Sequence, residues 1–201
     1  MASAPSSSTM NVQASPTSVK LVIAGGFGVG KTTFVGSVSD IKPLRTEGAI
    51  TDQSFGIDDT SLVQDKTTTT VAMDFGRIGI ADDLVLYLFG TPGQDRFGFM
   101  WDDLIQGALG AVVLVDTRRL DDCYHAVDYF EKRDLPFVVA LNEFDPNHRP
   151  PVETVRYALN VPESVPFVTC DARDRSTVKA VLLDLFNHVI VCLTNKATST
   201  A

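Results

Sequence analysis

Eight consecutive residues, Gly25-Gly26-Phe27-Gly28-Val29-Gly30-Lys31-Thr32, fit the pattern G-x-x-x-x-G-K-[ST] without a mismatch. The chemistry open to such a run is anion binding. Its glycines let the backbone curl until successive N–H groups point inward at phosphate oxygens. A helix starting at its end brings the positive end of its dipole to the same place. Lys31 is long enough to reach terminal phosphates, and the Thr32 hydroxyl suits Mg2+. Gly25, Gly26, Phe27, Gly28, Val29, Gly30, Lys31, Thr32 and the adjoining Thr33 are therefore candidate phosphate contacts. Lys31 is the candidate catalytic cation among them, and Thr32 the candidate metal ligand. Phe27 is too bulky for the cradle and must point outward. There it either crowds any Arg brought by a partner or packs on the helices that follow.

These residues need elements to hold them. VKLVIAG (19–25) is a continuous β-branched run ending in Gly, as in a strand buried on both faces, and KTTFVGSV reads as the helix after it. TTVAMDFGRIGI and LVLYLF are two strands joined across Ala81-Asp82-Asp83 in a hairpin. The runs AVVLVDT (111–117), PFVVALN (136–142) and PFVTCDA (166–172) alternate with helical stretches, one of them over 152–159 after Pro150-Pro151. In the last helix Val178, Val181, Leu182, Leu185, Phe186 and Val189 recur at steps of three and four, forming one apolar stripe. This alternation predicts an α/β fold of three layers, a mostly parallel sheet with one antiparallel edge strand. In such sheets ligands bind beyond the carboxyl ends of the strands, so the residues just after each apolar run matter most. The expected organisation is a disordered Ser/Ala/Thr/Pro-rich arm over 1–17, a nucleotide-binding domain over 18–195 and a flexible tail over 196–201.

After LVLYLF comes Gly90-Thr91-Pro92-Gly93-Gln94-Asp95-Arg96-Phe97. Upstream lies Thr67-Thr68-Thr69-Thr70-Val71-Ala72-Met73-Asp74-Phe75. Asn142-Glu143-Phe144-Asp145 and Cys170-Asp171-Ala172-Arg173 follow two later strands. Together with the glycine-rich loop, these segments resemble the five loop elements of Ras-like small GTPases, in family order, over residues 19 to 193. The fold implied is the three-layer phosphate-loop domain of that superfamily. The resemblance implies that Gly93 meets a γ-phosphate and that Gln94 orients the attacking water. It implies that Thr70, or failing it Thr69, gives its hydroxyl to Mg2+; a β-favouring run of Thr is the plain alternative. It implies that Asp145 accepts two hydrogen bonds from guanine, that Asn142 braces the loops, and that the Ala172 N–H meets the guanine carbonyl. Three departures stand out. Gly90 replaces an Asp that helps hold Mg2+, Glu143 replaces a Lys whose stem covers the base, and Asp171 and Arg173 flank Ala172 in place of Ser and Lys.

Among these GTPases the sequence is most similar to actinobacterial conservon GTPases, and more distantly to the bacterial gliding-motility GTPases. That resemblance implies GTP/GDP and Mg2+ as cofactors, GTP hydrolysis in bacterial signalling, and a roadblock/LC7-type regulator with a sensor kinase in the same pathway. Gly90 and the lack of an identifiable Arg finger make slow unaided hydrolysis the expectation. The Gly90 and Glu143 departures keep a second reading open, a pseudo-GTPase that binds nucleotide, or none, and serves as a scaffold. A small-molecule kinase ranks last, since the basic residues are scattered and no acceptor site is visible. Arg45 and Lys66, in the polar stretch after the first helix, are candidate internal cations for the transition state. Phe97, Phe99, Met100 and Trp101 are too dense to share one helix face; they form either an exposed partner surface or a wedge in the core.

Bulk properties set outer limits. The 201 residues fit one domain, and an apolar share of 44% suits a real core. A formal charge of −8 argues against a nucleic-acid surface. No stretch is expected to span a membrane, and neither signal-peptide nor lipidation features are evident. The odd, widely spaced Cys123, Cys170 and Cys192 suit a reduced cytosol. His125, His148 and His188 lack metal-ligand spacing. A cytoplasmic protein, recruited to membrane through a partner if at all, is the expectation.

Overall fold

A computed structural model of the chain describes residues 16–50, 69–93, 95–144 and 150–199, with backbone alone at 45–50, 69–72, 95–97 and 199. The strands are β1 (Thr17–Ala24), β2 (Leu44–Ile50), β3 (Thr69–Ala81), β4 (Leu84–Gly90), β5 (Ala108–Val115), β6 (Phe137–Asn142) and β7 (Phe167–Cys170). The helices are α1 (Lys31–Val38), α2 (Trp101–Ile105), α3 (Tyr124–Lys132), α4 (Val152–Ala158) and α5 (Arg175–Ser199).

The strands form one seven-stranded sheet in the order β2-β3-β4-β1-β5-β6-β7. β1 pairs parallel with both β4 and β5, the sheet then continues parallel through β6 and β7, and β3 runs opposite to β4. The mostly parallel α/β architecture is thus as expected, including the β3–β4 hairpin. β2 pairs antiparallel with β3 and extends that edge by one strand. It lies in the polar stretch after the first helix, and its pairing comes from a strand that begins nineteen residues beyond its end and not from its own apolar pattern.

Strand alternation divides the core in two. Leu21 and Ile23 face α1 and α5, packing with Phe34, Val35, Val38, Val181 and Leu185. Val22 and Ala24 face the other side with Trp101, Val127, Phe130 and Val155, from α2, α3 and α4. Because both faces of β1 are covered, its sequence is apolar at successive positions, which is the pattern of a parallel interior strand. Its neighbours β4 and β5 lie on opposite sides, so the chain leaves β1 at the point where connections diverge, which is where sheets of this kind bind their ligands.

The apolar stripe of α5 is buried as expected at Val178, Val181, Leu182, Leu185 and Val189. The helix continues through Ser199, so residues 196–199 are helical where a tail is expected. α5 is also long and apolar enough, by length and composition, to cross a membrane. That differs from the sequence expectation, but the buried stripe against β5, β6 and β7 is what a core helix needs. Leu185→Ala, at a position with no solvent exposure, should lower unfolding free energy by about 2–5 kcal/mol in denaturant titration. Leu183→Ala, on the exposed side of the same helix, should change it by less than about 0.5 kcal/mol.

Candidate functional site

The glycine-rich run lies between β1 and α1 as its pattern predicts. α1 begins at Lys31 with Gly30 at its N-cap position and no side chain capping it, so the first N–H groups of the helix are open to an anion. Gly30 has φ +102°, and a Cβ there would sit 2.6 Å from Asn142 Nδ2. Only glycine meets both demands, the backbone angle and the close approach. Val29 is buried, Thr32 half-buried and Thr33 exposed. Phe27 points outward, 64% exposed, as its bulk requires.

Lys31 is 8% exposed and donates to the carbonyls of Gly25 and Gly26, both at 2.7 Å. Burial pulls its pKa from 10.5 down to about 8, opposed by the negative charge of Asp74 and, less, by Cys123. Thr32 Oγ1 donates to Asp74 Oδ2 at 2.6 Å. The loop after β4 comes in over the same spot. A Cβ on Gly93 would lie 2.6 Å from Lys31 Nζ, 2.9 Å from Phe27 Cα and 3.0 Å from the Gly26 carbonyl. Gly93 is therefore seated on the lysine end of the phosphate loop, and any side chain would push it off.

Asn142 ends β6 and is 6% exposed. Its Nδ2 donates to the Val29 carbonyl at 2.9 Å, and its Oδ1 accepts from the Ala172 N–H at 3.0 Å. One amide thus ties the phosphate loop to the loop after β7, which is the bracing expected of it. The same bond alters the expectation for Ala172. Its N–H, assigned by resemblance to a base carbonyl, is here engaged by Asn142, and Ala172 is 1% exposed. The flanking N–H of Arg173 is likewise engaged, by Asp171 Oδ1 at 2.9 Å.

Gln94, Asp145 and Lys66 lie outside the described residues, as do the side chains of Thr69, Thr70 and Arg45. The hairpin register places Thr70 opposite Ala49, in the body of the β2–β3 pair.

Three residues to which the sequence assigns no role, Asp116, Arg118 and Arg119, join the site from the loop after β5. Asp116, 2% exposed, accepts from Arg118 Nε at 2.9 Å and Nη2 at 2.8 Å, and Arg118 holds its carboxyl below the usual range. That fork sets the Arg118 guanidinium 4.2 Å from the Phe144 ring centroid, inside the Asn142–Asp145 segment. Arg119 Nη2 donates to the Phe27 carbonyl at 2.7 Å, pinning the rim of the phosphate loop from outside. The signal was present: Asp116-Thr117-Arg118-Arg119 follows β5 directly, where the carboxyl-end rule points. Of the dense aromatic cluster, Trp101 is buried and Phe99 is 66% exposed, so it serves as both wedge and surface.

Among the described residues no group of three or more His, Cys, Asp or Glu side chains is placed to hold a metal. The donor set fits a cation carried largely by phosphate oxygens, with Thr32 contributing a hydroxyl, rather than a cage made of protein carboxylates.

A curled glycine loop leading into an uncapped helix, a buried lysine at its mouth and their place at the sheet's switch point define a phosphate-loop NTPase fold that binds nucleotide. Comparison with known sequences agrees. Residues 23–192 match the family described as "conserved hypothetical ATP binding protein", and the chain belongs to it. An uncharacterized protein of Methanocaldococcus jannaschii, MJ1339, is 30% identical over 129 residues, spanning 63% of this chain and 71% of that protein. Among solved structures, the FeoB G-domain from Methanococcus jannaschii is similar, with a TM-score of 0.55 and 16% identity over 86% of this chain and 98% of that one. This last likeness is one of fold.

The depressed Lys31 pKa carries a pH signature. A lysine whose folded pKa lies below its unfolded value destabilises the fold wherever the unfolded chain holds it charged. That penalty is full below about pH 8 and fades as pH rises from about 8 to 10.5. A polyphosphate restores the charge, so nucleotide binding between about pH 8 and 10 should take up protons. Calorimetry in buffers of different ionisation enthalpy should detect that uptake, and Lys31→Met should abolish it.

Proposed function

We propose that the protein is a guanine-nucleotide switch that binds GTP and GDP with Mg2+ and hydrolyses GTP slowly. The observation that carries this reading is Gly93 seated on Lys31 and the phosphate loop. A backbone N–H at that position can sense whether a terminal phosphate is present, and the loop from β4 then moves with it. Lys31 neutralises the terminal phosphates, and the uncapped N-terminus of α1 receives the inner ones. Gln94, next to Gly93 in sequence, orients the attacking water; Thr32 and Thr70 give hydroxyls to the cation. Mg2+, when bound, supplies a counter-charge for the phosphates in the transition state. Guanine is selected by Asp145, with the Arg118–Phe144 pair taking over the apolar cover lost with the Lys-to-Glu departure at Glu143.

The family's description speaks of ATP, and base choice is therefore the first thing to measure. GTP and GDP should be retained at least tenfold better than ATP in equilibrium binding with Mg2+, a difference of about 1.4 kcal/mol. Preference for ATP would overturn the guanine reading and leave a nucleotide-binding protein. Gln94→Leu should lower single-turnover GTP hydrolysis by about 10²-fold or more while leaving GTP binding within about threefold. Equal rates would remove Gln94 from the mechanism.

Gly90 specifically favours one rival, a binding module without turnover. It would show Mg2+-dependent retention of nucleotide and no phosphate release in single-turnover assays. By its resemblance, the chain works in the cytoplasm of a bacterial signalling pathway, with a roadblock/LC7-type regulator and a sensor kinase as partners.

A further inference from the structure

We propose that the carboxylate on the cation side of the phosphate site has been transposed from the end of β4 to the neighbouring strand β3, where Asp74 provides it. The inference rests on the nucleotide-and-Mg2+ reading above and concerns a residue to which that reading gives no role.

Gly90 and Asp74 are direct partners in the antiparallel β3–β4 ladder, so their side chains would share one face of the sheet. A Cβ built on Gly90 would lie 3.1 Å from Asp74 Cβ and 3.3 Å from Asp74 Oδ2. The space holds one carboxylate, reached from either strand. In this chain it is reached from β3, and glycine across the ladder is what makes room.

Asp74 is 7% exposed. A buried carboxylate is expensive unless positive charge or donors answer it. Here Thr32 donates to it at 2.6 Å, and the charge on Asp74 acts on Lys31. The direction of the Thr32 bond matters. A hydroxyl has one proton and two lone pairs. With its proton directed at Asp74, Thr32 keeps lone pairs for a cation. Asp74 is thus a positioning residue: it fixes the rotor of the Thr32 hydroxyl and sets a negative charge beside the place where Mg2+ would sit with the phosphates. A residue serving only to hold β3 against α1 would not link nucleotide retention to Mg2+.

The test uses the full chain loaded with a fluorescent GDP or GTP analogue, with release followed while free Mg2+ is varied from micromolar to millimolar. Wild type, Asp74→Asn and the transposed pair Asp74→Gly/Gly90→Asp are compared, with circular dichroism and melting to verify folding. Asp74→Asn should need about 10–100-fold more Mg2+ for half-maximal retention, as when a group that orients a metal ligand is lost. The transposed pair should recover most of that loss. An unchanged Mg2+ requirement in folded Asp74→Asn overturns the assignment. A folded transposed pair no better than Asp74→Asn overturns the transposition. If wild type itself retains no guanine nucleotide at any Mg2+ concentration, the functional reading fails and this inference with it, an outcome distinct from the other two.

Discussion

A positive charge must be kept almost out of water at the mouth of a loop built from backbone, and much of the site is arranged around that demand. Lys31 cannot be solvated at 8% exposure, so its ammonium takes two loop carbonyls and lies within the field of Asp74. Its lowered pKa is the measure of how incomplete that compensation is. A polyphosphate supplies what the protein withholds, and the binding energy follows from that deficit. The same crowding explains why Gly93 has no side chain, since the lysine head already occupies the space a Cβ would take.

The loop itself is held by distant parts of the chain. Asn142 bonds to Val29 and Ala172 from the end of β6, and Arg119 reaches the Phe27 carbonyl from the end of β5. Two strand ends therefore fix one loop, which is how a flexible glycine run acquires a single curvature. The bracing also links phosphate and base regions through one buried amide. A change at Asn142 is felt at both, and its effect on nucleotide binding need not be assigned to either alone.

The proposed exchange between Asp74 and Gly90 is one by which a fold would keep a chemical function while moving the residue that performs it. Adjacent strands of a sheet present their partners to the same volume. Loss of a carboxylate from one strand is then no loss to the site if the other strand supplies it. Read along the chain, Gly90 is a defect in a motif; read across the ladder, it is the clearance for Asp74.

The phosphate loop, the β3–β4 hairpin, the interior parallel strands and the buried stripe of α5 were legible in the sequence, because each is written in local pattern: glycine spacing, β-branched runs, or a three-four repeat. The bracing role of Asn142 was implied by the resemblance of Asn142-Glu143-Phe144-Asp145 to a family motif, and the hydrogen bonds to Val29 and Ala172 supply its geometry. What no local pattern records is which side chains meet across the sheet. β2 is a strand because β3 pairs with it, not because its residues alternate. The N–H of Ala172 is turned to Asn142 by packing. Arg118 and Arg119 became part of the site only when the end of β5 was brought beside the phosphate loop and Phe144. Asp74 gained its partner, Thr32, from an element forty-two residues away. The sequence by itself determined that this chain folds around a phosphate-binding loop. The tertiary structure decided which carboxylate lies beside that loop, since strand register, a contact between segments remote in sequence, sets which side chains share a volume.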